Sequence, residues 1–185
     1  MNFGSIAFSD ASKKLQEKAG SRANYALMEK FHNSDSFTLH EVEFIAQRDG
    51  FYISSIGKNG YPYIQFRGGP KGFLKVTDNK RLSFVDFVGN KQFISTGNIE
   101  TNNKVSLFLM DYANRTRLKI FAEAELLEIQ DNPDLFKKIA PENYQFRPER
   151  IITLHLKAFD WNCPQHITPR YTLEEIEEAF NSHQH

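Results

Sequence analysis

Phe51-Tyr52-Ile53-Ser54-Ser55-Ile56, then Asn59-Gly60, then Tyr61-Pro62-Tyr63-Ile64-Gln65-Phe66-Arg67 is the stretch whose reading decides the fold. Two β-prone runs flank an Asn-Gly pair, the strongest short-range hairpin signal, because both central residues of the favoured turn need positive φ. In the returning strand alternation puts Ile64 and Phe66 on one face and Gln65 and Arg67 on the other. The pattern repeats downstream. Phe73-Leu74-Lys75-Val76 and Leu82-Ser83-Phe84-Val85 flank a turn at Asp78-Asn79 and predict a second hairpin. Val105 to Met110, Leu118 to Leu127 and Arg150 to Phe159 read as further strands, and Asn90 to Asn102 as a polar connection with one or two helical turns.

Helices gather at the two ends of the chain. Ser9 or Asp10 suits an N-cap and Gly20 a stop, while Tyr25, Met28 and Phe31 recur at helical spacing. Thr38 and Glu41 have the spacing of a capping box ahead of Val42, Phe44 and Ile45. Pro133 to Ile139 reads as a short helix and Leu173 to Phe180 as an amphipathic one. The expected fold is mainly β with peripheral helices, a small antiparallel barrel in a single domain over 1–185. Residues 1–49 supply N-terminal helices, 50–160 the barrel, and 161–185 a closing loop and C-terminal helix.

Composition limits function. The 185 residues carry 23 Lys+Arg against 23 Asp+Glu, and zero net charge argues against nucleic acid, whose binding draws on surplus cations. A small anion stays compatible with a few local cations. Hydrophobic residues at 40% and charged residues at 25% describe a globular chain, able to bury roughly 70% of its unfolded surface. One cysteine excludes an internal disulfide or a multi-cysteine metal site, and no metal is expected. No signal peptide or long apolar span is apparent, so the expectation is a cytoplasmic protein without membrane contact. Seventeen Phe exceed what a chain of this size requires and leave some for an interface or a ligand.

Four polar clusters could carry chemistry. Arg67-Gly68-Gly69-Pro70-Lys71-Gly72 offers free amides beside cations, which suits either an anion site or a flexible loop between hairpins. Gly89 to Asn98 supplies amides, hydroxyls and Lys91 just after a strand, as a phosphate site would and as an ordinary capped helix would. Arg115, Arg117 and Lys119 fall on one strand face, offset either by an anion or, within the sheet, by Glu123 and Glu125. Trp161 to Arg170 packs the only Trp, the only Cys, His166 and Arg170 between prolines, as a ligand-contacting loop or a rigid cap on the barrel. Cys163 and His166 alone do not make a zinc site. P-loop, Rossmann, H-E-x-x-H and G-x-S-x-G signatures are missing.

Together these clusters resemble the pyridoxamine 5'-phosphate oxidase-like FMN-binding family, whose fold is a split β-barrel. The matching residues are Arg67-Gly68-Gly69-Pro70 with Gly72-Phe73, Gly89-Asn90 with Thr96-Gly97-Asn98, Arg117-Leu118-Lys119 and Trp161 to Ile167, with Gln16, Gly20-Ser21-Arg22 and Tyr25 near the start. The resemblance implies an FMN-binding homodimer with the cofactor at the subunit interface, acting as an oxidoreductase on an unknown small molecule. It implies Arg67, Lys91 and Arg117 at the FMN phosphate, with Gly68, Asn90, Thr96, Gly97 and Asn98 nearby. Ile64 and Gln65 would lie along the ribityl chain or ring, and Trp161, Gln165, His166 and Arg170 would close the site, with His166 the best single catalytic candidate. Lys119 replaces an expected Arg and Ala122 a frequent Gly. The C-terminal Arg-x-His-Asp-Arg type of segment is missing, so vitamin B6 oxidation is not implied. The competing reading is a non-catalytic barrel holding flavin or haem for storage or sensing.

Overall fold

A computed structural model of the protein describes residues 2–31, 34–161 and 165–182. Seven antiparallel strands form one sheet: β1 (Gly50–Ile56), β2 (Pro62–Gly68), β3 (Lys75–Asp78), β4 (Arg81–Phe87), β5 (Lys104–Asp111), β6 (Thr116–Leu127) and β7 (Pro148–Trp161), in the order β2-β1-β5-β6-β7-β4-β3. Seven α-helices accompany them among the described residues: α1 (Phe3–Ala7), α2 (Asp10–Lys18), α3 (Arg22–Phe31), α4 (Leu39–Ala46), α5 (Ile94–Thr101), α6 (Pro133–Ile139) and α7 (Leu173–Ser182).

The hairpin at Asn59-Gly60 forms, but with a different turn from the one read: Gly60 N–H donates to the Gly57 carbonyl at 2.9 Å around Lys58-Asn59, only Gly60 takes positive φ, at 78°, and Gly57 N–H donates to the Tyr61 carbonyl at 3.0 Å. It fixes the register of β1 on β2 through Ile53–Gln65 and Phe51–Arg67. Phe51, Ile53, Leu107, Leu109, Leu118 and Ile120 alternate inward along their strands and are buried. Burying each such side chain contributes about 1.5–3 kcal/mol.

The sheet is rolled but not closed. Phe51 on β1 and Phe84 on β4 are separated by three intervening strands in the sheet order, yet their ring centroids are 5.3 Å apart, with Phe73 packed on both. The loop carrying Phe73 requires Gly72, whose φ is 73° and whose Cβ, were there one, would sit 2.8 Å from the Ala46 carbonyl oxygen. Glycine is the residue that tolerates both conditions.

The helices differ in how they are held. In α4 the capping box forms, and Ile45 is fully buried against the sheet. By contrast α1, α2 and α3 contain no buried residue, and Leu15, Leu27, Met28 and Phe31 are exposed. The helix α1, which the sequence reading did not contain, is capped by Asn2 and seats Phe3 on Phe121, ring centroids 4.8 Å apart. The last strand runs longer than read, and Arg115 lies in the turn before β6 at φ 54° instead of on a strand face.

Candidate functional site

Two of the polar clusters meet where the rolled sheet brings β2 across to β4. Gln65, Arg67, Asp86, Lys91, Ser95, Thr96 and Glu149 are among the residues lining a pocket of about 50 Å³ there, room for a small anionic group but not for a flavin nucleotide. Inward alternation explains the lining: Gln65 and Arg67 share the phase of the buried face of β1, and Asp86 shares the phase of Leu82 and Phe84.

The loop entering α5 is strained. Lys91 and Phe93 adopt left-handed conformations, φ 62° and 53°, uncommon for residues with a Cβ. Phe93 occupies the N-cap position and supplies no side-chain hydrogen bond, so the first amides of α5 have no side-chain cap. Such amides, with the positive end of the helix dipole, favour an anion. Lys91 is exposed and has no ion-pair partner among the described residues. Thr96 is buried, and no atom lies within 4 Å of where a Cβ on Gly97 would be.

Arg67, by contrast, is committed. Its Nη1 donates to Asp86 Oδ1, and Arg150 Nε stands 3.9 Å from Asp86 Oδ2. Arg150 also pairs with Glu149, Nη2 to Oε1 at 3.3 Å, and its guanidinium lies 5.5 Å from the centre of the Phe93 ring. Burial is the largest influence on Asp86 and pushes its pKa above the ordinary value, beyond what Arg67 and Arg150 pull back. The Nε atoms of Arg67 and Arg150 are buried with no hydrogen-bond partner among the described residues. An acceptor-rich anion fits two orphaned donors, one exposed cation and an uncapped helix start, which is the chemistry of a phosphate.

The other expected residues distribute as follows. Gln65 Oε1 accepts from the Ser95 hydroxyl at 2.7 Å, and Asn98 Nδ2 donates to the Ser55 hydroxyl at 3.0 Å, so both brace α5 against the sheet. Asn90 Oδ1 accepts from the Gln92 amide at 3.2 Å and shapes the loop. Ile64 points to the opposite face from Gln65 and is 64% exposed, and Gly68 pairs with Gly50 at the end of β2. Arg117 lies on β6, three strands from β2, in opposite phase to the buried Leu118. Within one chain the structure therefore does not bring Arg117 to Arg67 and Lys91. Lys119 pairs with Asp160 at 2.8 Å, Glu123 with Lys157 at 2.8 Å and Glu125 with His155 at 2.8 Å, so this face balances its charge with cross-strand partners.

Trp161 does not line the anion pocket. Its indole N–H donates to Glu41 Oε1 at 2.8 Å, its ring packs edge-on against Phe44, and it borders a separate cavity of about 640 Å³ under the N-terminal helices. Gln165, His166 and Arg170 are exposed, and Arg170 lies 5.1 Å from the centre of the Tyr112 ring. Asn162, Cys163 and Pro164 of the same motif lie outside the described residues. Among the described residues no group of three or more His, Cys, Asp or Glu could hold a metal ion, and no helix is long and apolar enough to cross a membrane.

Asp86, Arg150, Glu149 and Phe93 were not anticipated. The signal for the first two was available: Asp86 continues the inward series Leu82-Phe84, and Arg150 leads the inward series Ile152-Leu154. A charge in the buried phase of a strand is rare unless it is paired.

A family model described as Pyridoxamine 5'-phosphate oxidase matches residues 37–160. No curated protein matches the sequence. Similar solved structures include a candidate pyridoxamine 5'-phosphate oxidase from Lactobacillus delbrueckii, with TM-score 0.54, 20% identity, and 70% of this chain and 97% of that chain covered. HupZ of Group A Streptococcus gives TM-score 0.52 at 14% identity over 73% of this chain and 99% of its own. An FMN-binding protein from Syntrophomonas wolfei gives 0.52 at 11% over 80% and 97%. At such identities the likeness is one of fold. The family match and the rolled, unclosed sheet agree, and the chain belongs to the pyridoxamine 5'-phosphate oxidase family with a split-barrel fold.

Proposed function

We propose that this chain binds FMN, with the phosphate between Lys91, the first amides of α5 and Arg67, and serves as an oxidoreductase for a small molecule. The observation that carries the reading is the convergence of an unpaired Lys91, an uncapped helix start and the orphaned Nε of Arg67 on one small pocket, in a chain of this family. Bound FMN would supply hydride or electron transfer through its isoalloxazine.

The protein's own residues bind and orient. Lys91 contributes charge from a loop whose backbone is left-handed at Lys91 and Phe93. Ser95, by donating to Gln65, fixes that amide's oxygen and leaves its NH2 to donate elsewhere. Asn98 and Ser55 keep α5 from sliding along β1. The carboxylates that line the pocket, Asp86 and Glu149, both serve arginines.

A 50 Å³ pocket takes the phosphate alone, so the remainder of the cofactor needs another wall. The outer face of β1 and β2 offers Tyr52, Ile64 and Phe66 at 40%, 64% and 58% exposure, an apolar patch suited to a second copy of this chain. A homodimer is therefore part of the proposal.

The test is the absorption spectrum of the purified protein and the mass of what it releases, followed by fluorescence titration with FMN and with riboflavin. Preference for FMN supports the phosphate site. A colourless protein that leaves FMN fluorescence unchanged overturns the reading. Anaerobic reduction by NADPH supports the oxidoreductase, whereas bound FMN that no nicotinamide donor reduces points to a binding protein.

A further inference from the structure

We propose that Asp86 is an internal counter-anion of this pocket, and that an incoming phosphoryl dianion competes with it for Arg67, so that Asp86 sets the affinity for phosphorylated ligands. The proposal rests on the reading above for the identity of the natural ligand, and on the geometry for the competition.

Asp86 and Arg150 face each other directly across β4 and β7, a charged rung at the end of an otherwise apolar inner face. Arg67 reaches the same carboxylate from β2. One carboxylate thus serves two guanidinium groups, with Glu149 on the far side of Arg150. The arrangement balances charge but not hydrogen bonds, since the Nε of each arginine stays buried without an acceptor. Leaving buried donors unsatisfied is costly, and a phosphoryl group brings more oxygens and more charge than a carboxylate.

Burial, outweighing both arginines, keeps Asp86 above its ordinary pKa. The ion cluster therefore does not recover the full cost of taking this carboxylate out of water. Loosening the bond from Arg67 to Asp86 in favour of a dianion is correspondingly cheap. Arg150, whose guanidinium packs on Phe93, extends the cluster to the loop that carries Lys91. The ligand class selected is a phosphate monoester, and the same molecule without its phosphate gains nothing from these groups.

The experiment compares thermal melting of wild type and Asp86→Asn with and without inorganic phosphate, using riboflavin as an uncharged control. In phosphate-free buffer the variant melts close to wild type, because the neutral amide sheds the desolvation cost that Arg67 and Arg150 leave uncovered, and Arg150 keeps Glu149. Millimolar phosphate then raises the variant's Tm by more than it raises that of wild type, while riboflavin moves both alike. A purely structural Asp86 gives equal phosphate shifts, and equal or smaller shifts in the variant overturn the proposal. Should Asp86→Asn fail to fold, Arg150→Gln gives the complementary reading: its phosphate shift falls severalfold below wild type, and an undiminished shift refutes the proposal. A wild type stabilised by phosphate but blind to FMN defeats the flavin reading and leaves the competition standing. A wild type that holds FMN but ignores phosphate does the reverse.

Discussion

Asp86 and Glu41 are two buried carboxylates, 3% and 4% exposed, whose neighbours push them in opposite directions. Asp86 sits between two guanidinium groups and its pKa rises. Glu41 is surrounded mostly by neutral donors and its pKa falls. Burial is the largest influence on both and acts upward. At Glu41 it is outweighed by bonds from the Thr38 hydroxyl at 2.6 Å, the Trp161 indole at 2.8 Å and the Thr38 amide at 2.9 Å. At Asp86 one direct bond from Arg67 and a 3.9 Å approach by Arg150 do not suffice. The difference lies in depth as well as in partners: Asp86 lies deeper in the protein and loses more hydration, while Glu41 receives three short, aimed hydrogen bonds. Glu41 is a fastener between α4 and β7, whereas the ion pairs of Asp86 leave part of its desolvation cost uncovered.

The largest expected effect separates the two by stability. Glu41→Gln keeps the shape but loses acceptor strength toward three donors, and it lowers unfolding free energy by about 1–2 kcal/mol at neutral pH in urea denaturation, with a shift in the emission of Trp161, the chain's one tryptophan. Next comes Asp86→Asn, within about 1 kcal/mol of wild type, because the amide sheds a desolvation cost that the half-buried Arg67 and Arg150 do not cover, and Arg150 keeps Glu149. If the variant at Asp86 proves the costlier of the two, the contrast between fastener and exchangeable ion pair collapses.

The pH dependence sharpens the same contrast. Glu41 has a lowered folded pKa, so its contribution is complete above its ordinary value of 4.5 and is lost as pH falls through the folded value. Asp86 has a raised folded pKa, so the folded form takes up its proton first. Stability is then gained as pH falls through that value toward the ordinary 3.8. Denaturation across this acid range should show a flatter loss of stability in Glu41→Gln and a steeper one in Asp86→Asn. The smallest effect on folding belongs to Lys91→Ala, within about 0.5 kcal/mol of wild type, as for an exposed side chain without partners. FMN affinity, read by fluorescence titration, falls about tenfold in that variant, the loss of one charge-assisted contact.

Local rules made much of the sheet readable. The Asn59-Gly60 hairpin, the strand from Phe51 to Ile56, the Thr38–Glu41 capping box and the helix Pro133–Ile139 follow from turn chemistry, period and caps, each acting within a few residues. What no local rule supplies is the roll of the sheet, which brings Arg67 of β2 to Asp86 of β4 from opposite sides of the strand order. The family resemblance named Arg67, Lys91 and Arg117 together, yet strand phase alone sets Arg117 on the face opposite Leu118. The same phase rule separates Ile64 from Gln65. Trp161 illustrates another limit: an aromatic with a polar edge suits a ligand or a buried carboxylate equally well until the position of α4 is known.

A sheet that rolls without closing has a seam, and across it the strands are joined by side chains instead of a backbone ladder. Backbone hydrogen bonds have fixed partners, but a side-chain bridge can be remade around a guest. Because the pocket lies on that seam, a bound anion tying β2 to β4 would act on the closure of the whole sheet. Occupancy would then be written into amide exchange along both strands, well beyond the residues that touch the ligand.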